Sequence, residues 1–93
     1  MKYLIKMPFS VQFGPQPTKF LKKLDSQTKD RIKNKILKLK EDPFPPEVER
    51  VEGYKDEKVF RIRVGDYRIL YLVRYEDKLI FVAKVDKRGR MYN

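Results

Sequence analysis

The alternation of apolar and polar side chains changes period twice along the chain, and these changes predict its elements. Residues 9–13 place Phe9, Val11 and Phe13 on one side and Ser10 and Gln12 on the other. This period of two marks a half-buried strand, which residues 3–5 can extend. Pro15 and Pro17 end extended pairing, and Thr18 is placed to cap a short helix through Leu24, with Phe20, Leu21 and Leu24 as its apolar stripe. A second helix opens at Asp25 or Ser26 and runs to about Lys40, because Ile32, Ile36, Leu37 and Leu39 recur at helical spacing between lysines. Pro43, Pro45 and Pro46 stop it, since proline lacks an amide donor and restricts the residue before it. The acidic, proline-rich segment 41–50 reads as a connector without chemistry.

From Val59 the period returns to two. Phe60, Ile62 and Val64 share one face with Tyr67, Ile69, Tyr71, Val73 and Tyr75, while Val59, Arg61 and Arg63 share the other with Arg68, Leu70, Leu72 and Arg74. Gly65 and Asp66 separate the two runs as a two-residue hairpin turn with positive φ at the glycine. Counting back from Val64 opposite Tyr67 puts Arg63 opposite Arg68, Ile62 opposite Ile69, Arg61 opposite Leu70 and Phe60 opposite Tyr71. Residues 76–78 form the next turn, and residues 79–85, apolar on both sides, suit an interior strand. In the polar stretch 86–93, local extension puts Arg88, Arg90 and Tyr92 on one side. The expected architecture is a single α+β domain over residues 1–93: a small antiparallel sheet of about four strands with an N-terminal helical hairpin packed on one face.

Composition removes much chemistry. The 93 residues include no Cys and no His, which excludes disulfide frameworks, zinc fingers, thiol nucleophiles and imidazole acid–base catalysis. No apolar run approaches the roughly 20 residues of a membrane span, and the N-terminus lacks the pattern of a signal peptide, so the expected location is the cytoplasm. The net charge of +10 is concentrated in residues 19–40 and 58–93, separated by an acidic segment. An excess of this size draws polyanions: nucleic acid first, an anionic membrane second, an acidic protein third. The lysines of the second helix are explained by helix propensity and solubility, with a counter-surface for RNA or an acidic protein as the other reading.

The opposed arginines call for a separate explanation. Like charges facing each other across a hairpin are unfavourable unless something compensates them, and Arg61 and Arg74 add to the face that Arg63 and Arg68 occupy. Two readings stand: a solvated face partly neutralised by Asp66 or Asp86, or a phosphate-binding face. Guanidinium groups grip phosphate oxygens bidentately and stay charged near neutral pH, which suits them to hold a scissile phosphate and to offset the charge of its transition state. Tyr67, Tyr71 and Tyr75 lie on the opposite side and read as core aromatics, with base-stacking as the alternative. Tyr92, beside Arg88 and Arg90, has less reason to be buried and can stack on a base or donate to a phosphate. No glycine-rich phosphate loop, paired-carboxylate metal site or helix-turn-helix signature stands out, and neither a cofactor nor a metal is expected.

These segments together resemble the RelE/ParE superfamily of toxin–antitoxin toxins, in particular archaeal RelE-type members, over about residues 9–92. The most specific piece is FRIRVGDYRILY at 60–71, supported by RGRMY at 88–92. The resemblance implies a RelE-like fold and a toxin that enters the ribosomal A site and cuts the bound mRNA without a metal. The resemblance implies that the substrate 2′-hydroxyl attacks its neighbouring phosphate to leave a 2′,3′-cyclic phosphate and a 5′-hydroxyl. It places Arg61 and Arg63 at the first two basic catalytic positions, and Arg68 where an arginine supports the transition state. Arg88 falls where an arginine acts as leaving-group acid or charge clamp, and Tyr92 where a tyrosine orients the nucleotide. Arg74, Lys87 and Arg90 are candidate RNA contacts. Arginine is a poor proton acceptor, so removal of the 2′-proton is left to Lys87, to a water or to the substrate environment. The implied partners are the ribosome with its A-site mRNA and a cognate antitoxin. The alternatives are a ParE-like toxin acting on a protein such as a topoisomerase, and a plain basic RNA-binding domain.

Overall fold

The computed structural model of the protein describes residues 8–52 and 57–87. In chain order they form β1 (Ser10–Phe13), α1 (Pro15–Lys22), α2 (Ser26–Glu41), β2 (Glu49–Val51), β3 (Val59–Val64), β4 (Tyr67–Arg74) and β5 (Leu79–Lys87). The extension of the first strand over residues 3–5 lies outside the described residues.

The strands make one sheet in the order β1-β5-β4-β3-β2. The α+β class and the helical pair agree with the periodicity, and the refinements come at the sheet's two edges. β1 runs parallel to β5, whereas the other pairings are antiparallel. β2 is a short strand that begins within the segment read as a connector and ends one residue beyond it. Because β1 and β2 occupy opposite edges, the two helices that join them cross one whole face of the sheet.

Local chemistry sets the helix starts. α1 begins at Pro15, three residues before the expected cap, because the first amides of a helix have no intrahelical acceptor and proline fits there. Thr18 sits inside the first turn, its Oγ1 donating to the Gly14 carbonyl at 2.8 Å. Gly14 is also a point of close approach, since a Cβ there would lie 3.0 Å from the Phe81 ring. The Asp25 carboxylate caps α2, accepting from the Thr28 amide at 3.0 Å and from its hydroxyl at 2.8 Å.

Leu21 of α1 and Ile32, Ile36 and Leu39 of α2 pack on Ile62, Ile69, Tyr71, Ile80, Val82 and Val85 of the sheet. Tyr71 is the buried member of the tyrosine stripe, donating its hydroxyl to the Pro43 carbonyl at 2.6 Å, and burial pushes its phenol pKa up. Tyr67 is half-buried edge-on against Phe20, while Tyr75, just past the end of β4, is 59% exposed. A bulge in β5 resets which of its side chains face the helices. Leu70 pairs with Lys84 and Tyr71 with Val82, leaving Ala83 unmatched. The extra residue inverts the alternation, so Val85 returns to the core while Lys84 and Asp86 turn to the face away from the helices. Past the end of β1, the Gln16 amide stands in for a strand, donating to the Val85 carbonyl at 2.8 Å and accepting from its N–H at 2.9 Å.

Candidate functional site

The β3–β4 turn has Gly65 at φ +57°, and its register matches the one counted from the sequence, from Val64 opposite Tyr67 to Phe60 opposite Tyr71. Arg63 therefore faces Arg68, and Arg68 in turn faces Asp86 of β5. One step along the sheet, Glu49, Arg61, Leu70 and Lys84 form a second row over four strands. Both rows lie on the open face, and neighbours within a row are about 5 Å apart at Cα. The two opposed arginines are thus flanked by one carboxylate on each side, Asp86 within their own row and Glu49 in the next.

Glu49 is engaged directly. Its Oε1 accepts from Arg61 Nε at 3.0 Å and from Nη2 at 2.7 Å. The hydrogen bond and charge of Arg61, with the charges of Arg63 and Arg68 behind them, hold the Glu49 carboxyl below the usual carboxylate range. The three arginines therefore share one electrostatic neighbourhood. They differ in access: Arg63 is exposed, Arg61 is half-buried against Glu49, and Arg68 is 2% exposed. A surface this cationic with an arginine sunk into it can hold a phosphate from the outside by Arg61 and Arg63 while Arg68 adds charge from beneath.

The remaining candidates are placed differently. Arg74 shares the face but lies six residues along β4 from Arg68, roughly 20 Å away. It pairs there with Glu57 at 2.7 Å. Lys87 is exposed and pairs with Tyr67, so it belongs to the helix side of the sheet. Its amide donates to Asp86 Oδ1 at 2.8 Å, which puts the end of the described chain one residue past the Arg63–Arg68–Asp86 row. Arg88, Arg90 and Tyr92 lie outside the described residues. Between the arginine rows and the Arg74–Glu57 pair, a shallow groove of about 350 Å³ has Val59, Leu70, Leu72, Phe81 and Ala83 as its apolar floor.

Two residues of this region escaped the sequence reading. Glu49 stands in a segment whose prolines and acids suggest a loop, and the apolar–polar–polar–apolar order of Val48, Glu49, Arg50 and Val51 carries no period-two signal that would mark it as a strand. Arg31 lies among the lysines of α2, with nothing in the helix pattern to set it apart, yet its guanidinium rests against the hairpin turn, where a Cβ on Gly65 would fall 2.8 Å from Nη2. No periodicity within a helix reveals which turn of a distant hairpin it will touch.

The chain matches, over residues 11–92, the family model of the ParE toxin of type II toxin–antitoxin systems. The chain belongs to the RelE/ParE superfamily of toxins. Within this superfamily it is 32% identical over 89 residues to a candidate toxin RelE1 of Methanocaldococcus jannaschii, covering 92% of this chain and 97% of the relative. The mRNA interferase toxin RelE of Escherichia coli is 30% identical over 84 residues, covering 90% and 87%. Among solved structures, the archaeal RelE–RelB complex from Pyrococcus horikoshii OT3 contains a chain that superposes with a TM-score of 0.78 at 34% identity, covering 90% of this chain and 99% of that one. The protein is accordingly a RelE/ParE-type toxin of a type II toxin–antitoxin system, and the arginine rows are features of a toxin's open sheet face.

Proposed function

We propose that the protein is a metal-independent endoribonuclease that cleaves mRNA on the ribosome. The observation that carries this reading is the cross-strand pair Arg63–Arg68, with Arg61 beside it, on one open face. Fold stability does not require such an arrangement, and a phosphodiester satisfies it. The 2′-oxygen of the substrate attacks the adjacent phosphorus and the bond to the 5′-oxygen breaks; O2′ loses a proton and O5′ gains one. The products are a 2′,3′-cyclic phosphate and a 5′-hydroxyl. Arg61 and Arg63 grip the non-bridging oxygens, and Arg68 supplies fixed charge where the pentacoordinate phosphorane gathers its extra negative charge. Arg88 and Tyr92 complete the site as leaving-group clamp and nucleotide platform. Arg90 contacts flanking RNA. The name of the Escherichia coli relative, an mRNA interferase, supports the same substrate class.

The occurrence of RelE relatives in complex with RelB supports a cognate antitoxin as partner, and the net charge of +10 favours acidic segments in it. The deciding experiment incubates the protein with programmed ribosomes and maps the ends of the message. Cyclic-phosphate ends at the A-site codon are expected, and intact message at full occupancy would remove the proposal. The ParE description of the matching family favours a second reading, in which the toxin acts by binding a protein target. Inhibition of a topoisomerase with no cleavage of ribosome-bound message would select it.

A further inference from the structure

We propose that Glu49 is a positioning residue for the phosphate site: it fixes the guanidinium of Arg61 by one edge so that the other edge is already set for a phosphate. The proposal builds on the phosphate-gripping role of Arg61 in the nuclease reading. A guanidinium offers five N–H donors in a rigid planar fork, with two edges able to bind an oxyanion in bidentate fashion. Glu49 Oε1 takes the edge formed by Nε and Nη2, at 3.0 and 2.7 Å. The edge between Nη1 and Nη2 keeps its donors, and the Arg61 side chain is 24% exposed, enough to be reached from the open face.

Three features make this more than an ordinary surface ion pair. The pair is set by backbone register, with Glu49 of β2 directly opposite Arg61 of β3. β2 is only three residues long, so the strand delivers little beyond this carboxylate and its neighbours. Glu49 also sits within the field of Arg63 and Arg68, which keeps it ionised and lets it offset the repulsion among the three arginines. An arginine held in this way gives up its rotamer freedom before RNA arrives. Ordering a long side chain costs about 0.5–1.5 kcal/mol, so its prior immobilisation improves phosphate affinity about 2- to 13-fold.

Simple charge arithmetic predicts something else, and this permits a clean test. Glu49→Gln and Glu49→Ala both remove one negative charge from the face, but the glutamine retains an oxygen able to accept from Arg61. The probe is a short single-stranded RNA with a 2′-deoxy substitution, which binds without being cut. Glu49→Ala is expected to bind it about 3- to 10-fold more weakly than Glu49→Gln, and this difference should vanish when Arg61→Ala is added to both. In the NMR spectrum, the Arg61 Nε–H resonance should stay shifted and slow to exchange in the wild type and in Glu49→Gln, and lose both properties in Glu49→Ala. Thermal unfolding of each variant identifies any loss of fold, which would weaken both variants irrespective of Arg61. Equal affinity of the two variants, or a difference that persists without Arg61, overturns the proposal. On programmed ribosomes, the deficit of Glu49→Ala relative to Glu49→Gln should appear in kcat at least as strongly as in KM. Absence of cleavage by the wild type would instead remove the nuclease reading, while the RNA-binding comparison still decides the role of Glu49.

Discussion

The arginines of the open face carry the same charge, but their surroundings give them different work. Arg63 is exposed and faces another arginine, and in the proposed nuclease a substrate phosphate relieves that repulsion. Arg74 already has Glu57 and stands roughly 20 Å along the strand. Arg63→Ala is therefore expected to lower kcat for message cleavage by about 100-fold or more, the usual effect of deleting a group that stabilises transition-state charge. Arg74→Ala should alter kcat by less than about 3-fold, since an exposed ion pair remote from the reacting phosphate contributes little. Measuring single-turnover cleavage at saturating toxin separates the two, and a similar loss in both variants would contradict this division of roles.

The elements that bring these residues together depend on turn and cap chemistry. Gly65 occupies the left-handed region at φ +57°, and the Arg31 guanidinium closes over it. Gly65→Ala should destabilise the protein by about 1–2 kcal/mol through backbone strain, read as a lower denaturation midpoint, and should displace Arg31. An unchanged midpoint would mean that the turn does not govern the hairpin. The cap of α2 makes a pH-dependent contribution. Hydrogen bonds from the Thr28 amide and hydroxyl lower the Asp25 pKa from its ordinary 3.8. A carboxyl whose pKa is depressed by folding stabilises fully above its unfolded value, and this contribution fades as pH falls through the folded one. Asp25→Ala should thus melt at a lower temperature than the wild type at neutral pH, and the gap should narrow as pH drops below about 3.8. A gap independent of pH would exclude the charged cap as its source.

For the molecule as a whole, the sheet divides the labour between its faces. The helix side holds the core, and the open side carries the two charged rows beside an apolar groove. Among the described residues no helix is long and apolar enough to cross a membrane. A net charge of +10 with arginines gathered on one face should make RNA binding strongly dependent on salt. With about four phosphates neutralised, the logarithm of the association constant for single-stranded RNA should fall with the logarithm of salt concentration at a slope near −3. Arg63→Ala should reduce that slope by about 0.7. A slope near zero would show that charge does not drive the association.

Much of this architecture was legible in the chain because local rules determine it. Periods of two and 3.6 marked the strands and helices, and the Gly65–Asp66 turn determined a hairpin register that placed Arg63 against Arg68. FRIRVGDYRILY was specific enough to suggest the family. The parallel pairing of β1 with β5, the edge strand β2, the bulge at Ala83 and the contacts of Glu49 and Arg31 were settled only by the tertiary structure. Each depends on segments far apart in sequence meeting across the sheet. Side-chain periodicity states which face a residue prefers, whereas the partner it meets there is chosen by how the whole chain closes its core.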